Sequence, residues 1–232
     1  VVVVAQDHFN YSTGILTANN GGTGWSSAWS QTYSAGTSFN VSATGLSYSG
    51  LATSGGSLAW RSGGNGIDQN SRTLPMQNRG VVYIQFLARF GSSSGGGTPN
   101  LRLLNNSSLT GGVGGNGGTY GSYWSILGSD LNPLSNGAAS SSTALSALNW
   151  VVLRIDYTAV STSLYLNPNA STFDYANPGT AAATYAGLAP IFNEVALNSR
   201  SPAAFDELGV LSYTAVPEPA ATTACAASAL AL

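Results

Sequence analysis

Glycoside hydrolysis requires two carboxyl groups set across the scissile bond, one of them held protonated, and the nine acids of this chain form no such local cluster. They are Asp7, Asp68, Asp130, Asp156, Asp174, Glu194, Asp206, Glu207 and Glu218. Only Asp206 and Glu207 are adjacent, and neighbours on a strand face opposite ways. His8 is the single histidine, so a Ser-His-Asp arrangement would have to be built on it; beside Asp7 it reads as a surface or strand-edge residue. A single cysteine, Cys225, excludes an intramolecular disulfide and a cysteine-based zinc cage. No Lys-Ser/Thr follows the glycine runs as a phosphate loop requires, and Gly111 to Gly118 lacks the Asp of a calcium-binding nonapeptide. These residues describe a non-catalytic protein.

Aromatic side chains offer a different chemistry, because Trp and Tyr faces stack on pyranose rings. Trp25 and Trp29 sit next to one flexible Gly-rich turn, Tyr120, Tyr123 and Trp124 next to another, and Trp60 stands beside Arg61. Large aromatics also dominate cores, and for each cluster core packing is the heavier reading.

The elements that must carry these residues are strands. Val82 to Phe90 and Trp150 to Tyr157 read as long, mostly buried strands. Shorter candidates are His8 to Tyr11, Phe39 to Tyr48, Ser57 to Arg61, Leu101 to Leu104, Tyr123 to Leu127, Ser163 to Asn167, Ile191 to Leu197 and Phe205 to Tyr213. Turn clusters separate them, among them Asn19 to Gly22, Ser62 to Gly66, Ser92 to Gly97 and Gly111 to Gly118. No segment sustains a capped amphipathic helix, although Ser141 to Leu148 fits one short turn. Many strands with Gly-rich turns predict an all-β jelly-roll β-sandwich of two antiparallel sheets.

Charge is scarce: Asp, Glu, Lys and Arg make up 7% of 232 residues, with no lysine, against roughly a quarter in average domains. The net charge of −2 leaves no basic footprint for nucleic acid. A surface with so little like-charge repulsion favours lateral association.

The two ends are apolar. Val1 to Ala5 reads either as the remnant of a signal peptide or as an N-terminal strand. In the second case the apolar ends could add a strand to a neighbouring subunit. Val216, Pro217, Glu218 and Pro219 precede an almost uncharged run to Leu232, and here the chain resembles the PEP-CTERM sorting signal of exported Gram-negative surface proteins. The run departs from that signal in having 13 residues, where a span needs roughly 20, and in lacking a closing Arg cluster. The resemblance implies a linker and sorting tail over 214–232, after a sandwich domain over 6–213.

Asp7 to Tyr11, Asn20 to Trp25, Ala28-Trp29, Leu164 to Pro168 and Ala204 to Gly209 resemble segments of concanavalin A-like (LamG-like) jelly rolls of bacterial surface proteins. Laminarinase-like relatives of this sandwich carry their acids as Glu-x-Asp-x-x-Glu on one strand, and this chain has no such cluster. Related modules commonly hold a structural calcium where first and last strands meet. The resemblance thus implies a calcium held by Asp7 and Asp206, with backbone carbonyls and Asn10 completing the oxygen set. In the other reading, which is favoured, Asp206 bonds loop N–H groups or pairs with an arginine. Glu207 reads as an outward-facing strand residue. No other cofactor is implied.

The expected function is that of an extracellular structural or matrix protein at the bacterial surface, self-associating through its apolar termini. The alternative is a lectin-like module for exopolysaccharide, requiring at least two of the named aromatics exposed in one groove. Membrane contact enters only through the sorting tail.

Overall fold

A computed structural model describes residues 1–33, 39–60, 68–91, 99–115, 123–136, 144–199 and 202–214. Sixteen strands and no helix occur among them. The Ser141 to Leu148 expectation is corrected where it is described: residues 144–148 form turns.

The central strands are built on alternation. In β7 (Val81–Phe90), Val82, Ile84, Phe86, Ala88 and Phe90 enter the main core, while Tyr83, Gln85, Leu87 and Arg89 alternate with them on the opposite face. In β12 (Asn149–Asp156), Val151, Leu153 and Ile155 enter the core and Trp150, Val152 and Arg154 alternate. Each large apolar side chain removed from water contributes roughly 1.5–3 kcal/mol.

The first sheet has nine strands. Its path runs β14 (Ala183–Ala186), β13 (Ser161–Leu166), β12, β7, β16 (Ala203–Tyr213), β5 (Ser57–Trp60), β4 (Phe39–Ser42) and β2 (Gly14–Ile15). β1 (Val2–Asp7) also pairs with β16, which makes first and last strands neighbours. The second sheet has seven: β11 (Pro133–Asn136), β10 (Trp124–Leu127), β9 (Ser108–Gly115), β8 (Asn100–Asn105), β15 (Phe192–Ser199), β6 (Asp68–Gln77) and β3 (Ser30–Tyr33). All pairings are antiparallel, and the inner faces enclose Phe39, Phe86, Phe90, Trp124 and Phe205.

β16 places the site. One side of it lies along β7 throughout, while the other meets β5 at Ala204 and Phe205 and β1 from Leu208 onward. A bulge between Asp206 and Gly209 marks the change of partner, with Glu207 at φ 52°. Two expected strands end differently. His8 to Tyr11 is the connection after β1, and β4 stops at Ser42 because the Ser42 hydroxyl accepts the Thr44 N–H at 3.2 Å and turns the chain out of the ladder.

Candidate functional site

Asp7 is fully buried, and its carboxylate is saturated by protein donors. It accepts from Phe9 N–H at 2.8 Å, Tyr11 O–H at 2.6 Å, Trp29 Nε1 at 2.8 Å and Arg72 Nη1 at 2.7 Å. Arg72 is equally enclosed: it donates to Ser27 O, Gly21 O and Asn20 Oδ1, with its guanidinium 5.0 Å from the Trp25 ring and 5.6 Å from Trp29. A charge out of water needs such a full set of partners. The cluster fastens β1 to the 19–29 loop and β6.

Asp206 is also fully buried and accepts from the backbone N–H of Leu46 and Glu207, both at 2.7 Å. Burial pushes its carboxyl up to about 7, the Glu207 charge adds to that, and the two N–H bonds and His8 oppose it. The bulge corrects the expectation for Glu207: its side chain, only 11% exposed, bonds His8 Nδ1 and accepts the Ser54 N–H at 2.6 Å. The neighbouring acids therefore grip one loop, 43–56, at both ends.

Although β1 and β16 are adjacent, Asp7 and Asp206 have separate partners: four donors including Arg72 on Asp7, two backbone N–H groups on Asp206. No group of three or more His, Cys, Asp or Glu among the described residues could hold a metal ion.

Of the expected sugar-stacking residues, the described ones are placed separately. Trp29 and Trp124 are 1% exposed, the latter 4.7 Å from the Phe90 ring, and half-buried Trp25 donates Nε1–H to Gln6 O. Tyr123 is 37% exposed. The Trp60 side chain, Tyr120 and the Val216-Pro217-Glu218-Pro219 motif lie outside the described residues.

A different aromatic cluster covers the outer face of the nine-stranded sheet. Tyr83, Leu87, Trp150, Val152, Tyr165 and Leu211 form a second apolar layer, roofed by Leu46, Tyr48 and Leu51 from one loop and Phe173 and Tyr175 from another. Phe173 meets Trp150 at 5.4 Å and Tyr165 at 5.7 Å, both edge-on. Tyr175 stands edge-on to Tyr83 at 5.0 Å and donates to Gln85 Oε1 at 2.5 Å, while Tyr83 donates to Tyr175 O. Roofing side chains come from irregular loops without a period, so no local pattern marks this layer.

The same sheet carries a groove where β5 and β7 end and β16 begins. There Ala59, Ala204 and Arg89 stand in register across β5, β16 and β7, and with Phe90, Gly91, Ser146, Pro202 and Ala203 they line an open groove of about 410 Å³. Small side chains on two adjacent strands make the depression. Among the described residues its lining is mostly apolar and holds one cation and no carboxylate.

No family model and no curated relative matches the sequence. Among solved structures the chain is similar to one from work on endo-acting O-glycanases of the human gut microbiota that initiate mucin breakdown. That match has a TM-score of 0.53 and 11% identity, covering 91% of this chain and 100% of that one. A Bacillus subtilis protein with a galectin-like fold matches at TM-score 0.47 and 9% identity, covering 79% and 89%. Lectin I-B4 from Griffonia simplicifolia matches at 0.45 and 10%, covering 70% and 90%. These are likenesses of fold. The protein is an all-β jelly roll with two antiparallel sheets.

Proposed function

We propose that this protein is a non-catalytic carbohydrate-binding module of the bacterial cell surface or extracellular matrix, and that the open end of its outer sheet face receives the glycan. The groove carries this reading. Its volume falls in the range of small-molecule sites, roughly 300–1,000 Å³. A floor of Ala59, Ala203, Ala204 and Pro202 suits the apolar face of a sugar ring, and Ser146 and Arg89 supply polar contacts at the rim. A lining without carboxylates suits retention of a glycan and lacks the acid pair that hydrolysis requires. Fold alone does not assign a ligand, so the proposal rests on this site.

Electrophoresis through gels containing dissolved polysaccharides tests it. The full chain is expected to be retarded by at least one polymer, and Ala59→Trp, which fills the groove from an exposed position, to weaken retention about tenfold or more, the loss of roughly 1.4 kcal/mol of binding. Absence of retardation across the panel, or undiminished retention of Ala59→Trp, would contradict the reading.

One observation favours a second reading, self-association as a structural subunit. Val1, Val2 and Val3 are 60%, 61% and 50% exposed, and the 22–25 segment that covers the outer side of β1 meets it at Val4 and Gln6. An open apolar edge is a template for pairing. Sedimentation of the full chain should then show dimers or larger species that disperse when Val2 and Val3 are changed to threonine; a monomer at all concentrations excludes it.

A further inference from the structure

Charges in this chain are few, and most described arginines are already engaged. Arg72 is tied to Asp7 and Arg154 to Asp156, while Arg102 donates to Gln69 and Asn100. Arg89 differs. It is exposed within the groove, and no hydrogen bond or ion pair engages it among the described residues. The acid nearest in register, Asp206, pairs with Leu87, two residues along β7, and is bound to the Leu46 and Glu207 N–H groups. Among the described lining residues the groove therefore presents a positive charge with no counter-charge.

We infer that the groove takes an anionic sugar unit, Arg89 holding its carboxylate or sulfate while the ring lies on Ala59 and Ala204. This rests on the carbohydrate-binding reading and specifies its ligand class. A guanidinium is planar, permanently charged and weakly hydrated, and its fork of N–H donors matches an oxyanion with two contacts at once. The register sets Arg89 beside Ala204 and Ala204 beside Ala59, so one edge of a ring lying on those methyl groups faces the guanidinium. A neutral sugar would find little use for that charge, and in a chain without lysine an unpaired arginine at the rim of a groove is a specific feature.

The test is affinity electrophoresis of the full chain with four polymers: polygalacturonate, its methyl ester, a sulfated galactan and the same galactan desulfated. Retention by one acidic polymer is expected, falling at least about tenfold when its charge is removed and weakening with added salt as exposed charge pairs do. Arg89→Gln should lose a similar factor, and Arg89→Lys should keep part of the binding because it retains the charge without the fork. No described side chain bonds Arg89, so both variants should unfold at the wild-type temperature. The polymer retained distinguishes carboxylate from sulfate. Equal retention of charged and uncharged forms, or wild-type retention by Arg89→Gln, overturns the inference while leaving the glycan-binding reading intact. Retention by neither acidic polymer also overturns it, and the carbohydrate reading falls with it only if the neutral polymers and the wider panel fail too.

Discussion

Asp7→Ala should lower the unfolding free energy by about 3–5 kcal/mol, the cost of breaking a buried ion pair by removing one partner. The reason is the state in which Arg72 is left. Its guanidinium stays enclosed by Trp25, Trp29 and the 19–29 loop but loses its only anionic partner, while Trp29 Nε1, Tyr11 O–H and Phe9 N–H lose their acceptor. A typical domain has only about 5–15 kcal/mol in total, so the variant should populate the unfolded state in mild urea. Replacing both partners with apolar side chains, Asp7→Ala with Arg72→Met, should recover part of the loss, since no buried charge then remains. Urea denaturation of the three proteins measures this; a loss below about 1 kcal/mol for Asp7→Ala would contradict the role given to the pair.

The second large effect is a pH dependence set by Asp206. Its carboxyl is raised to about 7 in the folded protein, against an ordinary value near 3.9 in the unfolded chain. Between these values the folded state holds a proton that the unfolded state has released, so stability falls as pH rises. The contribution is fully present below the unfolded value and lost by about pH 7, with a slope of at most about 1.4 kcal/mol per pH unit. Asp206→Asn should flatten the profile over this window. Denaturation at pH 5 and pH 8 shows it: the wild type should be the more strongly weakened of the two at pH 8, and parallel profiles would remove Asp206 as the cause. The consequence reaches the outer face, because Asp206 and Glu207 hold the loop that brings Leu46 and Tyr48 onto the second apolar layer.

The fold class was legible because β7 and β12 are long, nearly continuous apolar runs rich in β-branched and aromatic residues. Other strands were hidden for specific physical reasons. β6 buries Asn70 and Arg72 where apolar residues would mark a strand, and their hydrogen bonds to Thr17, Asp7 and the 19–29 loop replace the usual hydrophobic signal. β9 reads as a glycine-rich turn, yet residues 111–115 are a buried strand. A side chain at Gly114 would come within 2.5 Å of the Asn100 Cβ on β8, so glycine there records close packing. The candidate site was less legible. Period-two reasoning put Asp206 and Glu207 on opposite faces, and the bulge defeats that rule by bringing both to one loop. Arg89 could be read as outward from its strand alone. That its neighbours across the sheet are two alanines depends on the pairing of β5, β7 and β16, strands far apart in sequence, and no local pattern encodes it.

The most direct test of glycan binding at the open end of the outer face is amide shift mapping of the full chain. It would be titrated separately with oligogalacturonate and with a neutral galacto-oligosaccharide. Saturable shifts centred on Ala59, Arg89, Gly91, Ser146 and Ala204 are the predicted result. Shifts confined to another surface, such as that around Tyr123, or none with either sugar, would contradict it.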